Sequence, residues 1–472
     1  MKLQPARTVS FLVVALAYII AFAAAWATVR IVPESWSLLM KGLAGDIAAT
    51  LVIYLCSLIF NNSSMYDAYW SVAPPVLYLY WIQASGTGTL PVWIFFAIVV
   101  VWSLRLTGNW AIHWRGLRHE DWRYEDFRKR FPRAYWLVSF SGIHLFPTAM
   151  VFLVSIPAYA AIRSVSGADL SWIIIGFAVM AAGILLELVS DSQMDRFKRK
   201  GAGSSGILTT GLWAYSRHPN YLGEVLFWFG IGFHALGYGL NNYQLMLFPI
   251  AMLFLFVFYS VPAMEKKILR TRPQYRTVQD SVSPLLLLPE KLVPGKGLPL
   301  GRRRGDILYI VIFSWFLITS FVTDSLNGLH ATISPESGNA VERIIYTLYA
   351  SKADPALIFN QPTVRVSAWI SAFVWGPLYM FFIISFVFGW NSIRNWGLVY
   401  GAALTSSMIL YMAEGLFGTH ASPDPTLYLV TNLAYILVPL SMVVRMWKER
   451  PFGEAVALVS DAGILAEETD AV

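Results

Sequence analysis

Cysteine is nearly absent: Cys56 stands alone, which excludes an internal disulfide and any thiolate-built zinc or iron–sulfur site. No metal-ligand set is expected. Charge is also scarce. Asp, Glu, Lys and Arg make up 13% of the 472 residues, where soluble domains carry about a quarter. What fills the chain instead is 57% hydrophobic and 15% aromatic, with a mean hydropathy of +0.56, so lipid is its expected solvent. The opening "MKLQPARTVSFLVVALAYIIAFAAAWATV" has a signal-like start. Its apolar run is of span length and has no clear small-x-small cleavage site, so it reads as a retained first helix. The net charge of +7 is assigned to basic loops flanking membrane spans rather than to nucleic-acid binding.

The fold class expected is all-α: a polytopic membrane protein of about twelve spans of ~20 residues each, arranged in two bundles. The apolar stretches centre near residues 20, 50, 78, 98, 150, 180, 229, 253, 315, 380, 406 and 437. Loop charge fixes the expected orientation. One inner loop holds Arg115, Arg118, Arg123, Arg128, Lys129, Arg130 and Arg133, the next Arg196, Lys198, Arg199 and Lys200, and a third Lys266, Lys267, Arg270, Arg272, Arg276 and "GRRRG". Outer loops such as "GYGLNNYQ" and "GTHASPDPT" have almost none, so both termini are expected on the cytoplasmic side. The Pro-, Gly- and Arg-rich "LLLLPEKLVPGKGLPLGRRRGD" reads as a linker. It predicts a first module over residues 1–295, a basic linker over 296–305, a four-helix module over 306–450 and an acidic soluble tail over 451–472.

Polar residues of the first module gather in few places. In "GLWAYSRHPNYLGE", Pro219 suits only the first turn of a helix. Arg217, Asn220, Tyr221 and Glu224 then follow the spacing of one helix face. A helix N-terminus there, with Arg217 and His218 beside it, suits an anionic phosphate, and Glu224 would meet an amide or ribose hydroxyl two turns deeper. Glu187 and Asp191 lie one turn apart at the end of the preceding span, where acids usually line a cavity or meet a partner. The plainer alternative pairs Asp191 with Arg196 or Lys198. Asp67 and Arg105 fall at the same membrane face by this topology. "GAGSSG" at 201–206 matches the dinucleotide string G-x-G-x-x-G but follows a helix and a basic cluster, not a strand, and is set aside.

These segments, "NNSSMYDAYWSVAPP", "ELVSDSQMDRFKRK", "RHPNYLGE" and "MEKKILRTRPQYRTVQDSVSPLLLLP", resemble the bacterial membrane family related to steroid 5-alpha-reductases, often catalogued as a domain of unknown function, over about residues 1–290. "RHPNYLGE" is also similar to sterol C14- and C7-reductases and, more loosely, to isoprenylcysteine carboxyl methyltransferases. The resemblance implies NADPH bound from the cytosolic side. Asn220, Glu224 and Asp191 stand where the family contacts the cofactor, Arg105 matches a cofactor-binding Arg, and Glu187 stands where the reductases carry Asn. Lys198, Arg217, His218 and Tyr221 join this cofactor set. Asp67 matches the acid that, with a tyrosine, polarises the substrate carbonyl. The aligned tyrosine position is Trp102, which leaves Tyr66, Tyr69 and Tyr221 as candidates. The chemistry implied is hydride delivery to the β-carbon of a polarised C=C bond.

In the second module, "FLITSFVTDSLNG", "ERIIYTLYASKADPAL", "VSAWISAFVWGPLYMFF", "ALTSSMILYMAEGLFG" and "LVTNLAYILVPLSMV" resemble the four-helix family of emopamil-binding sterol isomerase and the sigma-2 receptor (EXPERA) over about 305–450. Asp324 stands at the isomerase's first-helix acid, but Ser320 replaces its His and Ala368 a Glu. Asp324, Asp354, Glu414, Asn432 and Tyr435 are the candidate ligand residues for a cationic or hydroxylated lipid; helix caps and bundle hydrogen bonds are the alternative. The whole chain reads as an NADPH-dependent reductase of a lipid C=C bond fused to a lipid-binding or isomerase-like module, with membrane lipids and a hydrophobic substrate as partners, in a bacterial inner membrane. The alternatives are an S-adenosylmethionine-dependent methyltransferase on the same bundle and a non-catalytic lipid-binding or transport protein.

Overall fold

The computed structural model describes residues 6–164, 169–199, 206–288, 297–329, 333–337 and 340–453. Most of "GAGSSG", residues 289–296 of the linker stretch and most of the acidic tail lie outside these residues. Among the described residues the structure is helical, without a named strand. Among these residues, ten helices are long and apolar enough to cross a membrane. Two compact units divide the chain: Met1–Arg196 with Asn220–Phe256, and Phe197–Pro219 with Val257–Val472. Segments 197–219 and 257–288, read above as first-module sequence, thus belong to the second unit.

The first unit begins with α1 (Arg7–Ile31) and α2 (Leu38–Phe60). Ser37 caps α2 by accepting from the Met40 amide, and Asn61 ends it in the left-handed conformation. Next come α3 (Tyr69–Ser85), α4 (Leu90–His113), the short basic α5 (Trp122–Arg130) and α6 (Tyr135–Arg163), which contains a π-turn at Ser139–Leu145. Then follow α7 (Leu170–Phe197), α8 (Pro219–Leu236) and the first part of α9 (Tyr243–Thr271). The expected spans near 78 and 229 are present as α3 and α8. At 17 and 18 residues they are the shortest and extend only about 25 Å.

Between α2 and α3 the chain tucks a buried turn, Ser63–Tyr66, into the bundle. The Asn62 amide holds it by donating to the Leu117 and His119 carbonyls at 2.9 and 3.0 Å. Helices α7 and α8 meet through glycines seven apart, Gly176 and Gly183 against Gly223 and Gly230. A Cβ at Gly183 would stand 2.6 Å from the Gly223 carbonyl oxygen and 2.8 Å from the Phe227 nitrogen. One at Gly230 would stand 2.6 Å from the Met180 nitrogen. Small residues permit this backbone approach, as in other membrane helix pairs, and it aligns Asn220 and Glu224 with Asp191 and Glu187. An aromatic core beside them stacks Trp102 on Phe227 at 4.5 Å, with Trp81, Phe95 and Trp228 also buried.

In the second unit, α10 (Tyr275–Ser281) follows the end of α9. The spans α11 (Asp306–Leu329), α12 (Pro362–Phe388), α13 (Ile393–Phe417) and α14 (Pro425–Met446) come next. Helix α11 packs on α12 and α13 on α14, around buried Phe313, Phe316, Tyr379, Phe382 and Tyr400. Asp306 is held by Arg303 and by Arg445, the latter at 3.0 Å. Residues 215–217 run beside 283–288: Ser216 bridges Ser283, and the Arg217 amide donates to the Ser283 carbonyl at 2.8 Å.

Candidate functional site

Asp191 and Glu187 project from α7 toward α4 and α8. Arg105 of α4 donates to Asp191 at 2.9 Å and also pairs with Glu187. Asn109, one turn along α4, donates to the same Asp191 oxygen at 3.0 Å. The Asn220 amide reaches the other oxygen at 3.4 Å. Glu224, one turn further along α8, accepts from the Trp102 and Trp228 indoles at 3.1 and 2.7 Å. Five of the expected cofactor residues, Arg105, Glu187, Asp191, Asn220 and Glu224, thus form one cluster from three helices. Asp191 pairs with Arg105 here, not with Arg196 or Lys198. Trp102, aligned with a substrate tyrosine, instead serves Glu224.

Three carboxyl groups share the cluster with a single guanidinium, which pairs with two of them, so the cluster is rich in acceptors. Glu187 is 1% exposed and faces Glu224. Among the described residues, no N–H group other than those of Arg105 donates to it. Such a set suits a ligand that brings hydrogen-bond donors, such as an amide or sugar hydroxyls. It does not suit a phosphate.

Asp67 follows the buried turn and accepts from the Tyr124 hydroxyl at 2.5 Å, with Arg123 at 3.8 Å. Burial pushes its carboxyl up to about 6, against the opposing pull of Arg123. Tyr124 is a residue that the sequence reading missed; it lies in a basic loop 57 positions away. Tyr221 links the two places. Its hydroxyl feels Arg123, Asp121 and Asp191 together, and its ring packs against Phe256 at 4.9 Å.

A second acid–tyrosine pair lies beside the first. Tyr69 donates to Asp46 of α2 at 3.0 Å, and Tyr66 and Tyr69 are in ring contact at 5.4 Å. Asp46 and Tyr69 line a cleft of about 90 Å³ between α1, α2 and α3, walled by Gly42, Gly45, Phe22 and Leu77 and rimmed by the exposed Trp26 and Val76. Asp46 was also missed: its signal was one acid at membrane depth in "GLAGDIAAT".

Arg217 and His218 have other partners within the second unit. Arg217 Nε donates to Glu265 at 2.6 Å, and its Nη1 to the Gln279 and Val282 carbonyls at 2.7 and 2.6 Å. The His218 ring lies 3.3 Å from Glu265, and burial holds its imidazole below the usual range. Arg217, expected at a phosphate, is therefore occupied by carbonyls and an acid. Lys198 is exposed.

The candidate ligand residues of the second unit mostly converge. Ser371 donates to Asp324 at 2.6 Å and lies 3.0 Å from Ser320; both serines sit in π-turns, Ser320–Asp324 and Ser371–Trp375. Tyr435 bonds Thr319 at 2.7 Å and stacks on Phe316. Asp354 accepts from Tyr411 at 2.9 Å, and burial pushes it up to about 6. Asn432 donates to Tyr349 at 2.9 Å, and Tyr349, in a third π-turn at Tyr346–Ala350, reaches Asp354 at 3.5 Å. Glu414 is the exception. It is exposed and lies beside Gly418 at the end of α13.

Two family models match separate parts of the chain. "Protein of unknown function (DUF1295)" covers residues 53–282 and "EXPERA (EXPanded EBP superfamily)" covers 344–446. The chain carries a domain of each kind. It is also similar to "Uncharacterized protein C594.04c" of Schizosaccharomyces pombe, with 26% identity over 259 residues, 49% of this chain and 74% of that one. No solved structure matches. With ten apolar helices, the two domains point to a membrane enzyme or binding protein concerned with lipids.

Proposed function

We propose that the DUF1295 domain reduces a C=C bond conjugated to a carbonyl in a sterol-like or isoprenoid lipid, with NADPH as reductant. The observation that carries this reading is the convergence of Arg105, Asn109, Glu187, Asp191, Asn220 and Glu224 in one acceptor-rich cluster beside two acid–tyrosine pairs. The carboxamide and ribose hydroxyls of NADPH bring the donors that such a cluster accepts. When bound, NADPH would supply a hydride to the β-carbon. Arg105 and Asn109 orient Asp191, and the two indoles fix Glu224, so the acceptors stand ready before the ligand arrives.

Negative charge then develops on the substrate oxygen, where a hydroxyl donor stabilises it most. Tyr69 with Asp46, and Tyr124 with Asp67, are the pairs that can supply it: each hydroxyl donates to its acid, and the acid, once protonated, returns that bond and frees the hydroxyl for the carbonyl. Asp46–Tyr69 is favoured for the carbonyl because it lines the cleft facing lipid. That cleft is well below the about 300–1,000 Å³ of a whole ligand site. The substrate is therefore a lipid that enters by one oxygenated end and keeps its body in the bilayer. The EXPERA domain, a separate module in this reading, binds or isomerises a related lipid at Asp324, Asp354, Asn432 and Tyr435. A bacterial inner membrane with cytoplasmic termini is the proposed setting.

The test is cofactor binding to the purified chain in detergent. NADPH should bind, and Asn220→Ala or Asp191→Asn should weaken it at least tenfold. Binding of S-adenosylmethionine with no response to NADPH would replace the reductase with a methyltransferase.

A further inference from the structure

A second polar array crosses the first unit apart from the nucleotide cluster. It begins at Glu120, whose side chain is 11% exposed and held by Arg128 through bonds of 3.1 and 3.0 Å. The Tyr135 hydroxyl donates to Glu120 at 2.9 Å. Ser63 Oγ lies 2.7 Å from that hydroxyl and 2.8 Å from Ser139 Oγ. Ser139 Oγ lies 3.5 Å from His144 Nδ1, and His144 Nε2 lies 3.0 Å from Ser57 Oγ. Ser57, Ser63, Ser139 and His144 are fully buried.

Serines in membrane helices commonly return their hydroxyl to the carbonyl four residues back. Ser57 does so, to Ile53 at 2.9 Å. The hydroxyls of Ser63 and Ser139 instead meet other hydroxyls and, for Ser139, an imidazole. The imidazole itself is served in either tautomer. With the proton on Nδ1, it donates to the Ser139 carbonyl at 2.9 Å, and Nε2 accepts from Ser57 when that hydroxyl turns away from the Ile53 carbonyl. With the proton on Nε2, it donates to Ser57 Oγ and Nδ1 faces the Ser139 hydroxyl. The π-turn Ser139–Leu145 brings the ring back over Ser139 and creates this choice. A histidine that only fills space needs one tautomer; a proton carrier needs two.

We propose that Glu120, Tyr135, Ser63, Ser139 and His144 form a proton relay from the edge of the unit to a buried imidazole. A proton taken up by Glu120 advances as each hydroxyl oxygen gains one proton and gives up its own. Nδ1 gains the last of these protons, and the imidazolium holds it, donating from Nδ1 to the Ser139 carbonyl and from Nε2 to Ser57 Oγ. The His144 ring stands edge-on to Tyr66 at 5.1 Å. The Tyr66 hydroxyl bonds Thr148 at 2.8 Å, and Thr148 bonds Thr50 at 2.9 Å, one helical turn from Asp46. Resting on the proposed reduction, the relay holds at the His144 ring, against Tyr66, a proton of the kind that reaction consumes.

The test uses the full chain in detergent, labelled with ¹⁵N-histidine. Exchange of the His144 imidazole proton with water, read by NMR, should outpace that of neighbouring buried backbone amides. Ser63→Ala or Ser139→Ala should slow it at least tenfold, and Ser139→Thr should restore it. Tyr135→Phe breaks the same path while keeping its ring under Arg128, and serves if a serine variant fails to fold. Unchanged imidazole exchange in a folded Ser63→Ala or Tyr135→Phe chain overturns the relay. A second readout is the solvent deuterium isotope effect on NADPH-dependent reduction of a 3-keto-4-ene steroid, which should rise in Ser139→Ala. If the wild type reduces no such probe, the reductase reading fails for it, and the imidazole exchange still decides the relay.

Discussion

Asp67 shows how one buried carboxyl sets a pH response. Burial raises it to about 6, while Arg123 and the Tyr124 hydroxyl oppose the rise. Folding therefore favours its protonated form. That contribution is complete below the unfolded value of about 3.9 and is lost as pH rises through 6. Between pH 4.5 and 7 the wild type should lose roughly 1–3 kcal/mol of stability that Asp67→Asn keeps, read as thermal midpoints across pH. A flat difference between the two proteins would contradict the assignment. Asp67 itself was legible in the sequence as an acid at a span end. Tyr124 was not, because the pair forms only when α5 folds beneath the buried turn at 63–66. Residue type gave Asp191, Asn220 and Glu224 their prominence. That Arg217 faces Glu265 and two carbonyls depends on chain more than 40 residues later, beyond the reach of helical spacing.

At the scale of elements, the α7–α8 contact holds the acceptor-rich cluster together. Gly183→Val would force backbone apart where a Cβ already meets Gly223 at 2.6 Å, at a cost of about 1–3 kcal/mol or more. The expected result is a lower thermal midpoint together with weakened NADPH binding. The π-turns make a separate prediction. A π-turn is one extra residue in a helix, frequently at a functional site. Deleting Phe373 from Ser371–Trp375 should restore ordinary helix while rotating Ser371 away from Asp324. Circular dichroism should then be unchanged and lipid binding at the second site lost. Helix positions were legible because apolar runs of span length carry their own signal. π-turns leave no such trace; they arise from packing between helices, so the pairing of Ser320 with Ser371 emerges only in three dimensions.

For the whole molecule, loop charge predicts which ends of the spans share a side. In a Cys56→Ser background, Lys129→Cys should react with an impermeant maleimide in inverted vesicles, and Glu34→Cys in right-side-out vesicles. The reverse labelling would overturn the orientation. If the two sites work independently, their losses should add. Asp191→Asn with Asp354→Asn should then lose NADPH binding and second-site lipid binding to the same extents as the single variants.

The clasp of Arg217 by Glu265, Gln279 and Val282 also bears on how the chain is made. Residues 220–256 are an excursion into the first unit, and the second unit resumes at 257. The guanidinium, 4% exposed for its residue, gains its last carbonyl partner at Val282. A nascent chain halted before that point leaves a buried cation short of partners. Breaking such a set costs about 3–5 kcal/mol, so the second unit cannot close around Arg217 until synthesis has passed the excursion.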